Sequence, residues 1–119
     1  VVLDVYDFLA ERITALTALG IAKTDIIADP GIGFGKTRAH NLELLQRISL
    51  FHSLGVPILL GASRKKFIGT LTQTTHAQDR DIGSIGIALA AIAQGVHIIR
   101  AHNVSGHRQA ISTWLASVE

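Results

Sequence analysis

Apolar residues fall into two rhythms along this chain. From Val2 to Leu19 they recur at helical spacing, with Leu9, Ile13 and Leu16 on one stripe and Gly20 placed to stop the helix. Three later runs, at about 26–29, 56–60 and 96–101, are apolar at almost every position and bounded by Gly or Pro. Short continuous runs of that kind predict parallel strands buried on both faces. Helical spacing returns between them. A helix is expected from His40 to Ser53, with Leu44, Ile48 and Phe51 inward, Leu45 beside them, and Gly55 ending it. A short turn is expected at Phe67-Ile68, then a polar, Thr-rich mobile loop over Thr70–Gln78. The next helix starts at Asp79 or Asp81, either able to cap it, and runs to Gln94. Its Gly83, Ser84, Gly86 and Ala88 leave room for a close neighbour. Ser105 is the expected N-cap of a last helix carrying Ile111, Trp114, Leu115 and Val118. One helix followed by three strand–helix units predicts an α/β fold with three parallel strands and flanking helices.

The strand ends carry the chemistry, because ligands of α/β folds bind at the carboxyl edge. The first run delivers Asp29 and then Pro30-Gly31-Ile32-Gly33-Phe34-Gly35-Lys36. Pro30 stops the ladder, and glycines at every second position permit positive φ and a close ligand. The phosphate motifs fail here on spacing: Gly31 and Gly35 enclose three residues where a Walker loop needs four, and the triplet reads G-x-G-x-G. A loop needing glycines only to turn fits locally as well. The second run delivers Ser63, Arg64 and Lys65, the third Arg100 and His102. Arg100, His102 and Ile98 share one face by parity, with His97 and Ile99 on the other. An acid, two or three bases and a His on one rim suit an anionic ligand with an aromatic or amide-like head. His97 reads as a packed, helix-facing residue, and His40, His52, His76 and His107 as solvated or capping. Lys36 and Lys66 read as solvated ends beside the site.

Composition narrows the classes. With 119 residues, 48% hydrophobic and 17% charged, the chain is one globular domain. Net charge is +2, and no basic cluster is interleaved with aromatics, so nucleic acid is not an expected partner. There is no Cys for a disulfide or thiolate metal site. No apolar run approaches the ~18 residues of a membrane span, and a cytoplasmic location is expected. There is no Met, and Val1 already stands in helical register, so the chain is expected to be part of a longer protein.

Three segments in register, Asp29-Pro-Gly-Ile-Gly-Phe-Gly-Lys36, Gly61-Ala-Ser-Arg-Lys65 and Ile99-Arg-Ala-His102, closely resemble signature segments of the dihydropteroate synthases. The resemblance runs across essentially the whole chain. It implies the carboxyl-terminal part of a (β/α)8 TIM barrel, residues 1–119 forming one partial domain. It implies a transferase of folate biosynthesis, the target of sulfonamides. This enzyme joins 6-hydroxymethyl-7,8-dihydropterin pyrophosphate to p-aminobenzoate and releases pyrophosphate. By the same resemblance Asp29, Lys65 and Arg100 would hold the pterin, Phe34 and Lys65 the p-aminobenzoate, and Arg100 and His102 the pyrophosphate. Lys65, Arg100 and His102 would serve catalysis, and Ser63 would shape its loop. Mg2+ is the implied cofactor, its ligands expected outside this chain and none within it. The full-length protein would be a homodimer.

Two other readings stand beside this one. A pterin-binding barrel moving methyl groups from methyltetrahydrofolate to a corrinoid would share Asp29, but it has no pyrophosphate for Arg100 and His102. A non-catalytic half-barrel would be a binding module. Alone, the chain is expected to be inactive and to self-associate. Its helices would cover one side of the sheet, leaving the other, expected to carry Ile58, Leu60 and Ile98, bare between two open edges.

Overall fold

The computed structural model describes residues 1–118. Helices α1 (Val2–Ala18) and α2 (Arg38–Gln46) precede strand β1 (Leu59–Leu60), α3 (Lys66–Thr72) and α4 (Asp81–Ala93) lead from it to strand β2 (Ile98–Ile99), and α5 (Val104–Val118) follows. β1 and β2 run parallel, Leu59 opposite Ile98 and Leu60 opposite Ile99. Ala28 joins the other side of β1 through one parallel bridge to Ile58, with Ala28 N–H on Pro57 O at 2.9 Å and Leu59 N–H on Ala28 O at 2.8 Å. The three expected strands thus lie side by side in the expected direction, but each is paired over fewer residues. A side chain limits β2 at its start. Ile58 N–H donates to His97 Nδ1 at 3.0 Å instead of to a backbone carbonyl.

Packing follows the two rhythms. Ile13 is buried, with Leu9 and Leu16 half-buried against the same core. Phe51, Leu44, Ile48, Ile58, Leu60, Ile32 and Ile68 are the largest side chains fully withdrawn from water. The bare face differs from expectation by one residue of parity. Ile58 and Leu60 are 0% and 2% exposed and face the helices, whereas Ile27 is 53% exposed. The register puts Ile27, Leu59 and Ile98 on the uncovered side with Asp29, Gly61, Arg100 and His102. A run apolar at every position carries no parity signal, which is why residues 56–60 misled.

Helix boundaries were set by side chains acting at a distance. The helix expected over 40–53 starts at Arg38, where Thr37 Oγ1 accepts from His40 N–H at 3.1 Å, and becomes a 3-10 segment over Ile48–Leu54. The Gln94 amide causes the break. It donates to Leu45 O at 2.6 Å and accepts from Ser49 N–H at 3.1 Å, the two groups that an α-helix would join directly. The Thr70–Gln78 loop is partly helical: α3 continues to Thr72, and Arg80 holds the Thr74 and Thr75 carbonyls. Asp81 is the first residue of α4 and turns to Arg64 instead of capping. The small face of α4 does admit a neighbour, since a Cβ at Gly83 would lie 2.7 Å from Ile68. Asn103, not Ser105, caps α5, its Oδ1 accepting from Gly106 N–H at 2.9 Å.

Candidate functional site

The glycine loop is fixed from within. Gly31, Gly33 and Gly35 have φ of 75°, 89° and 61°, left-handed values that disfavour a side chain at all three positions. Asp29, half-buried at the strand end, accepts from Gly31 N–H at 2.8 Å through Oδ1, leaving Oδ2 for a ligand. Asn41, buried on the first turns of α2, accepts from Gly33 N–H at 2.8 Å. Lys36 is not a solvated end. Its ammonium donates to Gly31 O at 2.7 Å and Phe34 O at 3.0 Å. Partial burial lowers its pKa from the usual lysine value, and Asp29 opposes that shift. Sequence reading missed both Asn41 and this use of Lys36; the helical spacing that puts Asn41 on the same side as Leu44 and Leu45 was the available signal.

The second loop brings Lys65 to the first. Its side chain crosses Gly33, where a Cβ would lie 3.1 Å from it, and its ammonium stands 4.1 Å from the Phe34 ring centroid, a cation–π contact. Phe34 is otherwise 63% exposed. Arg64 leaves the rim. It donates twice to Asp81, from Nε at 2.8 Å and from a terminal nitrogen at 3.2 Å. The bases on the rim are therefore Lys65 and Arg100.

Arg100 and His102 follow β2. The Arg100 guanidinium lies against Gly61, where a Cβ would collide with it. His102 and Ser63 are joined twice: Ser63 Oγ accepts from the His102 backbone N–H at 3.1 Å and lies 2.8 Å from Nδ1. When the hydroxyl donates its proton to Nδ1, the neutral ring presents Nε2–H as a donor. Gly61, Ser63, Lys65, Arg100, Ala101 and His102 line one cavity of about 400 Å3. Lys65 also borders a second, of about 450 Å3, with Lys36, Arg38 and Asn41. Donors without a covering acid face the first cavity, an arrangement that holds an anion. Asp29 lies outside that lining, and Phe34 reaches it through Lys65.

The other histidines differ from expectation in two places. His107 is buried, with Nδ1 2.8 Å from Asn103 O. His97 is exposed, edge-on to His52 at 5.5 Å, because its ring turns back to Ile58 N–H. Among the described residues no helix is long and apolar enough to cross a membrane.

Known proteins resemble this chain in sequence and in fold. The sequence model of the family described as pterin binding enzyme matches residues 1–102. A dihydropteroate synthase of Neisseria meningitidis serogroup C is 43% identical over 117 residues, 98% of this chain and 41% of the relative. That of Escherichia coli K12 is 43% identical over 101 residues, 85% of this chain and 36% of the relative. The chain thus spans about two fifths of the curated relatives it matches. The Xanthomonas albilineans dihydropteroate synthase solved in complex with 7,8-dihydropteroate superposes with a TM-score of 0.96 at 40% identity, over 98% of this chain and 44% of that one. The Thermus thermophilus enzyme in complex with 6HMPPP gives 0.94 at 37%, over 99% and 46%.

Proposed function

We propose, since this chain belongs to the family of pterin-binding enzymes, that it forms the carboxyl-terminal part of a dihydropteroate synthase barrel and contributes one wall of its active site. The observation that carries the reading is the single cavity lined by Ser63, Lys65, Arg100 and His102, with Lys65 reaching across to Phe34 beside the Asp29 loop. A phosphate-holding rim after the last strands is also where barrels of this class keep such groups. Residues 1–119 are one partial domain in this reading, and the uncovered face with Ile27 would line the barrel interior. The full-length protein would be a cytoplasmic homodimer. The isolated chain, with that apolar face bare, would be inactive and self-associate.

The roles follow from the donors and acceptors. Asp29 would accept the pterin's amino and ring N–H groups in parallel, through Oδ2 and the second lone pair of Oδ1 beside its bond to Gly31 N–H, and two parallel bonds to one carboxylate fix the ring's orientation. Phe34 and Lys65, in cation–π contact, would meet p-aminobenzoate beside the pterin. The amine lone pair forms the new C–N bond at the pterin methylene, the C–O bond to pyrophosphate breaks, and its electron pair leaves with pyrophosphate. Arg100 and the Nε2–H of His102 stabilise the charge that grows there. The new ammonium then gives its proton to the departing pyrophosphate or to water, which restores the neutral amine. Mg2+ would be held by ligands outside this chain and would neutralise phosphate charge; among the described residues no group of three or more His, Asp or Glu converges. No step above is routed through the ion.

Asp29→Asn in the full-length protein tests the reading. It turns an acceptor into a donor facing N–H groups, and loss of a charge-assisted bond of about 1.5–3 kcal/mol weakens pterin binding by about 10- to 150-fold. Calorimetric titration of the pterin measures it, and unchanged affinity removes Asp29 from the site.

A further inference from the structure

We propose that Asp81, outside both cavities, is the positioning residue that holds Lys65 and His102 in mutual register. The proposal deepens the reading above and rests on it. Arg64 has φ of 59°, a left-handed conformation for a residue with a side chain. That conformation is strained for a residue with a side chain and persists where surrounding contacts over-determine it. Here the start of α4 and the turn before it supply those contacts. Arg64 N–H donates to Ser84 Oγ at 2.9 Å, Arg64 O accepts from Arg80 at 3.0 Å, and the guanidinium makes its two bonds to Asp81. Ser84 Oγ in turn donates to Arg80 O at 2.7 Å, closing the clamp. The residues on either side of Arg64 are Ser63, bonded to His102, and Lys65, lying over Phe34.

The clamp reaches the other loop through Ser63. Ser63 Oγ meets both the backbone N–H and Nδ1 of His102, and Asn103, which directly follows His102, gives its oxygen to Gly106 N–H at the head of α5. Asp81, by holding the Arg64 turn, fixes the loop after β1, and Ser63 carries that placement to the loop after β2. Neither Arg64 nor Asp81 is placed to touch a ligand in the 400 Å3 cavity. Their effect would pass through Ser63, Lys65 and His102.

The test uses the full-length protein with Asp81→Asn, and with Ser84→Ala as a second, uncharged release of the same clamp. Misplacement by about 1 Å costs on the order of 100-fold, so kcat is expected to fall about 10- to 100-fold. Pterin affinity is expected to fall by a smaller factor than kcat, because the Asp29 loop is held by its own residues and, of the pterin's contacts, only Lys65 is displaced. The His102 imidazole NMR signals, read without substrate, are expected to shift in both variants. An absence of synthase activity in the wild-type protein would sink the proposed function, while the His102 shift would still report the tie. The proposal is overturned if His102 is unmoved in both variants. It is also overturned if kcat and pterin affinity fall by the same factor, in step with the melting temperature, the mark of a merely structural residue.

Discussion

Gly61→Ala is expected to silence Arg100 without touching it. Gly61 is buried at the end of β1 and does not need a positive φ, so its backbone accepts alanine. The added methyl would collide with the Arg100 guanidinium, with Cζ at 2.9 Å and Nε at 3.2 Å also inside contact range. The obstruction is the far end of a flexible, exposed side chain, so Arg100 swings away and the fold stays. Fold stability is expected to hold or rise by about 0.4–1 kcal/mol, since alanine narrows the unfolded ensemble. Pyrophosphate binding should lose one charge-assisted hydrogen bond, about 1.5–3 kcal/mol or a factor of about 10 to 150 in Kd. The assay is a double-mutant cycle with Arg100→Ala in the full-length protein, using pyrophosphate titration calorimetry and thermal melts. If Gly61 acts through Arg100, the double variant binds no more weakly than Arg100→Ala alone. Additive losses, or wild-type affinity in Gly61→Ala, would refute the steric reasoning.

Two further outcomes are expected. Asn41→Leu keeps the volume but removes the acceptor of Gly33 N–H, costing about 1–3 kcal/mol, toward the lower figure because water can reach Gly33; urea denaturation measures it, and no loss would mean the bond is idle. The Arg64 hydrogen bond, first, and its charge hold the Asp81 carboxyl below its ordinary 3.8, so the pair's contribution is fully present above 3.8 and is lost as pH falls through the lower folded value. The stability difference between wild type and Asp81→Asn should therefore stay level from about pH 7 to about pH 5 and shrink only below about pH 4, and a decline already complete by about pH 5 would contradict the pairing.

What the sequence made legible was whatever depends on near neighbours or on residue type at a strand end. The three runs of Ile, Leu and Val announced parallel strands, and Asp29, Lys65, Arg100 and His102 stood at their ends. Contacts across long separations stayed hidden. Gln94 breaks the helix at Leu45 and Ser49 from more than forty positions away, and no local propensity encodes that insertion. Arg64 looked like a rim base until Asp81 claimed it. Ser105 and Asn103 are both good caps, and their choice depended on where β2 ends. The parity of residues 56–60 needed the register with Ala28, since Val56, Ile58, Leu59 and Leu60 are alike in polarity.

The two loops differ in how far along the chain their fastenings lie. The glycine loop is closed by bonds spanning two, five and eight positions, from Asp29, Lys36 and Asn41. The Ser63–Lys65 loop is closed by bonds spanning seventeen, twenty and thirty-nine, to Asp81, Ser84 and His102. Short closures form early and survive partial opening, whereas distant ones wait for the helices to dock. The acid-bearing loop should therefore assemble first during refolding and keep its amides longest in native-state hydrogen exchange, at Gly31 and Gly33. The amide of Arg64 should exchange with the undocking of α4. Half of this pocket is a local habit of the chain, and the other half exists only when the whole domain is closed.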